Sequence, residues 1–212
     1  MASSKDTASA MKVVLNNVGK RFNYHWIFRG INSTWNSSNT IAIKGNNGAG
    51  KSTLISILSG LASPNEGIIE WWMDDHKIDS EKIFQHLTWC SPSIELPDEF
   101  TLSELIQFQS TFKNWLPNLT KKEILSVLNL EKEAHQYLKN FSTGMKQRVK
   151  VALAVLADVS MVLLDEPTSN LDEWGINWYQ ELLQKYANDR LIIIASNNEK
   201  DFVNATVLLL LE

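Results

Sequence analysis

A single cysteine, Cys90, occurs in 212 residues. That excludes an intrachain disulfide and fits a reducing compartment. Uninterrupted hydrophobicity is scarce as well. The longest apolar run near an end is Ala205–Leu211, broken by Thr206, far short of the roughly 20 residues a membrane-spanning helix needs. Met1–Asp6 carries no apolar signal core. Basic charge is in deficit: 20 Lys and Arg against 24 Asp and Glu leave a net charge of -4, with a pI of about 5.6. A nucleic-acid-binding domain more often carries a basic face. Internal repeats and low-complexity tracts are missing. These absences predict a chain that sits in water, with no nucleic-acid partner, whose membrane role would come through another protein. The composition that remains, 44% apolar and 21% charged, suits one globular α/β domain.

Residues 1–11 are small and polar and predict a disordered N-terminus, leaving 12–212 as a single domain. Short strands are expected over Lys12–Val18, Ile31–Trp35 and Thr40–Lys44, with Asn and Ser turns between them. A helix over Lys51–Leu61 is ended by the turn signal Ala62–Gly67. Strands are expected over Gly67–Trp72 and Leu87–Cys90. From about 93 to 150 the pattern becomes helical. Thr101 and Glu104 have capping-box spacing ahead of Leu105 and Ile106, and further helical segments are expected near 120–129 and 131–139. The helix Thr143–Ala157, the strand Met161–Leu164, the helix Glu173–Ala187 and the strands Leu191–Ala195 and Thr206–Leu210 follow. Met161–Leu164 and Leu191–Ile194 are continuous apolar runs, the pattern of strands buried on both faces of a parallel sheet. The expected fold is α/β: a mostly parallel sheet flanked by helices, antiparallel strands toward the N-terminus, and a helical insert.

Gly45-Asn46-Asn47-Gly48-Ala49-Gly50-Lys51-Ser52 matches the phosphate-loop pattern G-x-x-x-x-G-K-[ST]. The apolar strand Ile41–Ile43 precedes it and a helix follows, the context the motif requires. Glycines let the backbone wrap phosphates with its N–H groups turned inward, and the helix adds its positive end. Lys51 would reach the β- and γ-phosphates, Ser52 would hold Mg²⁺, and Thr53 would complete the nucleotide contacts. A second apolar strand ends in two acids, Asp165 and Glu166. Ligands of open parallel sheets gather at the carboxyl ends of the strands. Asp165 is therefore expected near Mg²⁺, through a water, and Glu166 near the γ-phosphate, where it could orient an attacking water.

With these motifs in this order, from about residue 12 to 210, the chain resembles the ATP-binding cassette (ABC) ATPases, particularly single-cassette subunits of membrane transporters. Phe141-Ser142-Thr143-Gly144-Met145 occupies the position of the family signature, and Asp165–Asp172 looks like the acidic strand end running into the D-loop. The resemblance implies that Phe22 stacks on adenine, with Tyr24 as a rival. It implies that Ser142, Thr143 and Gly144 open a helix facing the nucleotide of a second cassette, that Asp172 belongs to the nucleotide site, and that two cassettes sandwich two ATP molecules. Ser142 would also serve as an ordinary helix cap. A membrane permease is the implied partner, docking near residues 93–115 with Phe100, Phe108, Phe112 and Trp115, and placing the chain at the cytoplasmic face of a membrane.

The sequence departs from the family in three places. The signature reads Ser142-Thr143-Gly144-Met145 rather than S-G-G-Q. The Q-loop position holds Ser91-Pro92-Ser93-Ile94, with no Gln between Leu87 and Phe100. The switch-histidine position holds Asn197, and His25, His76, His86 and His135 all lie far from it in sequence. Asn can hydrogen-bond a phosphate oxygen but carries no titrating proton at neutral pH. The leading expectation is an ATP-hydrolysing transporter subunit with Glu166 and Asn197 at the catalytic centre. The alternatives are a slow or non-hydrolysing ATP-gated switch, and a soluble non-transport ABC protein.

Overall fold

The computed structural model describes residues 10–211. The expected N-terminal tail falls, for residues 1–9, outside the described residues, and Met11 already opens the first strand. In chain order the elements are β1 (Met11–Phe22), β2 (His25–Asn36), β3 (Thr40–Gly45), α1 (Lys51–Leu58), β4 (Glu66–Met73), β5 (His76–Ile78), β6 (Leu87–Cys90), α2 (Leu102–Gln109) and α3 (Lys121–Leu128). They continue with α4 (Thr143–Val155), β7 (Met161–Asp165), α5 (Glu173–Tyr186), β8 (Leu191–Ser196) and β9 (Val207–Leu211).

Two sheets result. One is antiparallel, in the order β2-β1-β4-β5; the other has the order β6-β7-β8-β3-β9, and every pairing in it is parallel. Strand side chains point alternately to opposite faces, so each buried run of the parallel sheet feeds two cores. Val162, Leu164, Ile192 and Ile194 pack toward α2–α5. Met161, Leu163, Leu191 and Ile193 pack toward α1 and the antiparallel sheet, against Leu54, Leu58, Val13 and Trp35. Burying each such Leu or Ile stabilises the fold by about 1.5–3 kcal/mol. The carboxyl ends of β3, β7 and β8 are thereby fixed side by side at one edge, which is where the functional residues stand.

Several expected elements differ in extent. β1 and β2 form a longer hairpin than the apolar pattern suggests, turning at Asn23 with φ 53°, a left-handed conformation Asn tolerates. The first helix ends at Leu58 rather than Leu61, because Ser59 and Gly60 already turn the chain back. β5 was not expected. The segment 131–139 is not a helix: it is turns with a short 3₁₀ stretch at Leu138–Asn140. Asn129 at φ 52° stops α3, and the segment's carbonyls are used elsewhere. Gln136 O and Ala134 O accept from Leu102 N and Ser103 N at 3.3 and 2.8 Å, satisfying orphan donors at the start of α2. The Thr101/Glu104 capping box is present as expected.

Arg190, just before β8, is 7% exposed. Its guanidinium donates to Ala157 O at 2.9 Å, to Val155 O at 2.8 Å and to Tyr186 O. It thus serves the carboxyl ends of both α4 and α5, where the helix dipole favours a cation. Burial lowers its pKa to about 10.

Candidate nucleotide site

The phosphate loop joins β3 to α1. Gly48 has φ +88°, and a Cβ there would meet nothing within 4 Å. Gly50 has φ +94°, and a Cβ there would lie 2.3 Å from Ile27 Cγ2. Only glycine fits both turns without strain, and the open side at Gly48 leaves room for a ligand against the backbone. Ile27, Asn47, Gly48, Gly50, Lys51, Ser52, Thr53 and Glu166 line a hollow of about 300 Å³. A larger hollow of about 580 Å³, lined in part by Asn39, Thr40 and Arg190, lies at the opposite, amino edge of the parallel sheet. No residue expected to bind nucleotide is in it.

Lys51 is 6% exposed. Its ammonium donates to Gly45 O at 2.8 Å and Asn46 O at 3.2 Å and stands 3.7 Å from Glu166 Oε1. Two of these partners are neutral carbonyls, so much of its charge remains available to an anion in the hollow. Glu166, which follows β7, has φ 47°, unusual for a non-glycine residue. Ser196, at the end of β8, donates to Glu166 Oε2 at 3.1 Å. One carboxylate oxygen is therefore held from behind, and the other faces Lys51.

Asp165 is 2% exposed. Burial raises its pKa, opposed by the Ser52 hydroxyl and reinforced by Glu166. Its Oδ1 is buried without a hydrogen bond of its own. Among the described residues no group of three or more His, Cys, Asp or Glu side chains could hold a metal. One carboxylate beside a hydroxyl and a phosphate loop suits Mg²⁺, which takes few protein oxygens and keeps waters and phosphate oxygens around it. Ser52 and Asp165 fit that ion.

A carboxyl whose folded pKa is raised keeps its proton to higher pH when folded. The stability this confers is present below the unfolded pKa and is lost as pH rises through the folded pKa. The buried Asp165 carboxylate, disfavoured by desolvation, is therefore a liability above that range without metal. Asp165→Asn should raise the melting temperature of the metal-free protein at pH 7 by roughly 2–4 °C, the effect of about 1 kcal/mol in a domain of this size. The gain should shrink toward pH 4, and magnesium-dependent nucleotide affinity should be lost. Calorimetric melts at both pH values check this; an equal gain at both would exclude the charge as its cause.

The other expected residues are distributed unevenly. Asn197 is exposed, and its amide donates to Asn47 Oδ1 at 3.0 Å, joining the switch position to the phosphate loop. Phe22 and Tyr24, 55% and 96% exposed, stand at the tip of the first hairpin; neither lines the hollow, whereas Ile27 does. Ser142 caps α4, accepting from Met145 N at 3.2 Å. Ser142, Thr143 and Gly144 lie outside the hollow. Asp172 caps α5, accepting from Gly175 N at 2.8 Å. The hydroxyls of Ser91 and Ser196 reach the acid pair and were not expected. Each stands where a strand of the parallel sheet meets its loop, a signal readable by lining up the carboxyl ends of the predicted strands. Cys90 is buried, its thiol pushed up by desolvation to about 12, so it is inert as a nucleophile.

A parallel sheet with a phosphate loop between β3 and α1, and two acids at the end of β7, defines a P-loop nucleotide-binding protein. The family model described as "ABC transporter" matches residues 28–169, about two thirds of the chain, and the chain belongs to that family. It is 30% identical over 161 residues to ATP-binding cassette sub-family A member 2 of Rattus norvegicus, covering 74% of this chain and 7% of that protein. It is 27% identical over 203 residues to ABC transporter I family member 1 of Arabidopsis thaliana, covering 93% of this chain and 86% of that one. The chain thus spans only 7–10% of the length of the sub-family A relatives it matches. Among solved structures, a dimeric ATP-binding cassette in a post-hydrolysis state, bound to ADP and Pi, superposes with a TM-score of 0.79 at 23% identity. That match covers 94% of each chain, and the fold is that of an ABC cassette.

Proposed function

We propose that residues 12–212 form one cassette, with a helical insert at about 93–150, that binds and hydrolyses ATP to drive an ABC-type membrane transporter. The observation that carries this reading is the convergence of Ser52, Glu166 and the buried Lys51 on the hollow beside Gly48 and Gly50, with buried Asp165 next to Glu166 at the end of β7. ATP phosphates would lie against the backbone N–H groups of Gly45–Ser52. Lys51 would leave its carbonyl partners for the β- and γ-phosphates. Mg²⁺, held by Ser52 and Asp165, would draw negative charge off the phosphoryl oxygens. Glu166, steadied by Ser196, would orient a water in line with the γ-phosphorus and accept its proton as the bond to the β-phosphate oxygen breaks.

The start of α4, with exposed Ser142 and Thr143, has no phosphate to serve within its own chain. That supports a sandwich with a second cassette. An apolar hollow of about 360 Å³, lined by Ile94, Leu96, Leu105, Phe108 and Phe112 among others, suits a helix of a membrane permease. Phe108 and Phe112 are 47% and 66% exposed and meet edge to face at 5.0 Å. Trp115 packs against the core and is not among the lining residues. No helix among the described residues is long and apolar enough to cross a membrane, so a peripheral position at the cytoplasmic face would come through that partner.

A second reading, a slow ATP-gated switch, is favoured by Asn197, whose amide is engaged by Asn47 and cannot adjust its protonation as charge develops. Steady-state phosphate release with saturating Mg-ATP and the membrane partner separates the two. Asn197→His should turn over roughly tenfold faster than wild type, about 1.4 kcal/mol off the barrier. A variant no faster, with ATP binding intact, would show that Asn197 does not limit the rate. A wild type with no turnover at all would leave the switch reading in place.

A further inference from the structure

Cys90 of β6 is in register with Leu164 of β7, so the next residues, Ser91 and Asp165, stand side by side at the carboxyl edge of the sheet. Ser91 is 3% exposed. Its Oγ donates to Asp165 Oδ2 at 3.4 Å, accepts from Ser93 N at 3.3 Å and pairs with Ser93 Oγ at 2.9 Å. Its carbonyl accepts from Lys150 Nζ of α4 at 3.3 Å. One oxygen of the Asp165 carboxylate is thus met by a held hydroxyl in a long hydrogen bond, while Oδ1 is buried without a hydrogen bond of its own, with the Ser52 hydroxyl beside the carboxylate.

We infer that Ser91 is the positioning residue of the magnesium site: it holds Asp165 Oδ2 so that Oδ1 is presented toward the ion beside Ser52. The inference rests on the reading of the loop as a Mg-nucleotide site. A carboxylate turns easily about its last torsion, whose wells are broad, and a ligating oxygen is only as well placed as the hydrogen bonds behind it. Removing such an outer partner commonly costs ten- to hundredfold in metal affinity. Ser91 suits the role because it is itself held from both sides, by the turn through Ser93 and by α4 through Lys150. A hydroxyl that merely satisfied a buried carboxylate would affect the stability of the fold and leave the preference for metal unchanged.

The test uses the full chain, Mn²⁺ as the probe and ADP as the nucleotide. Mn²⁺ affinity of the ADP complex is read by electron paramagnetic resonance, and ADP affinity in excess chelator by calorimetry. Ser91→Ala should weaken Mn²⁺ binding about tenfold with metal-free ADP affinity unchanged. Ser91→Thr, which keeps the hydroxyl, should restore it to within about twofold of wild type, and near-isosteric Ser91→Cys, a weak donor, should behave as Ala does if the Ala variant folds poorly. Unchanged Mn²⁺ affinity in both the Ala and Cys variants overturns the inference, as does a loss in the Thr variant equal to that in Ala. Failure of the wild type to bind ADP at all would instead remove the nucleotide reading of the loop, and this inference with it.

Discussion

Lys51→Ala should lower Mg-ATP affinity by about a hundredfold, roughly 2.7 kcal/mol, while the protein stays folded. The size follows from what the ammonium does. A hydrogen bond to a charged group contributes about 1.5–3 kcal/mol, and the β- and γ-phosphates would lose such bonds together. Lys51 now bonds only to loop carbonyls, Gly45 O and Asn46 O, and stands 3.7 Å from Glu166. Truncation therefore removes a phosphate ligand without opening the hydrophobic core. Calorimetric titration with Mg-ATP measures the loss, and a melting curve checks the fold. Unchanged affinity would mean that nucleotide does not sit on this loop.

Glu166→Gln should slow turnover by roughly 10²- to 10³-fold, within the range a positioned general base supplies, and leave ATP affinity intact. The amide oxygen can still accept the Ser196 hydroxyl that now reaches Oε2 at 3.1 Å, so shape and placement survive while proton acceptance is lost. The neutral side chain also removes repulsion from the γ-phosphate. ATP-bound dimers should then accumulate in ultracentrifugation of the variant, and a further Ser142→Arg change should prevent them without abolishing monomer binding. Full turnover in Glu166→Gln would assign the base to another group. A monomer under every nucleotide condition, permease included, would contradict the two-cassette arrangement.

The parallel sheet was legible because its strands are short unbroken apolar runs, Met161–Leu164 and Leu191–Ile194, and only burial on both faces explains such runs. The phosphate loop was legible because phosphate binding demands glycine at fixed offsets; the left-handed Gly48 and Gly50 are the reason. The segment 131–139 misled because Leu130, Ala134 and Leu138 have helical spacing, and all three are buried in a turn-rich path whose carbonyls cap α2 instead. Tertiary hydrogen bonds of that kind leave no periodic trace. The place of Ser91 and Ser196 at strand ends was readable, but their pairing with the acids leaves no such trace either. A serine beside a proline or an asparagine reads as loop, and its partner carboxylate is 74 residues away in one case and 30 in the other. Ile27 was missed because it reaches the loop from a different sheet, where Gly50 makes room for it.

The Arg190 guanidinium has a mechanical meaning as well as an electrostatic one. Ser142 stands at the leading end of α4 and Asp172 at the leading end of α5, and both helices finish on the same planar cation. The two carboxyl ends are thus tied to one side chain, so a displacement of either strains hydrogen bonds that also serve the other.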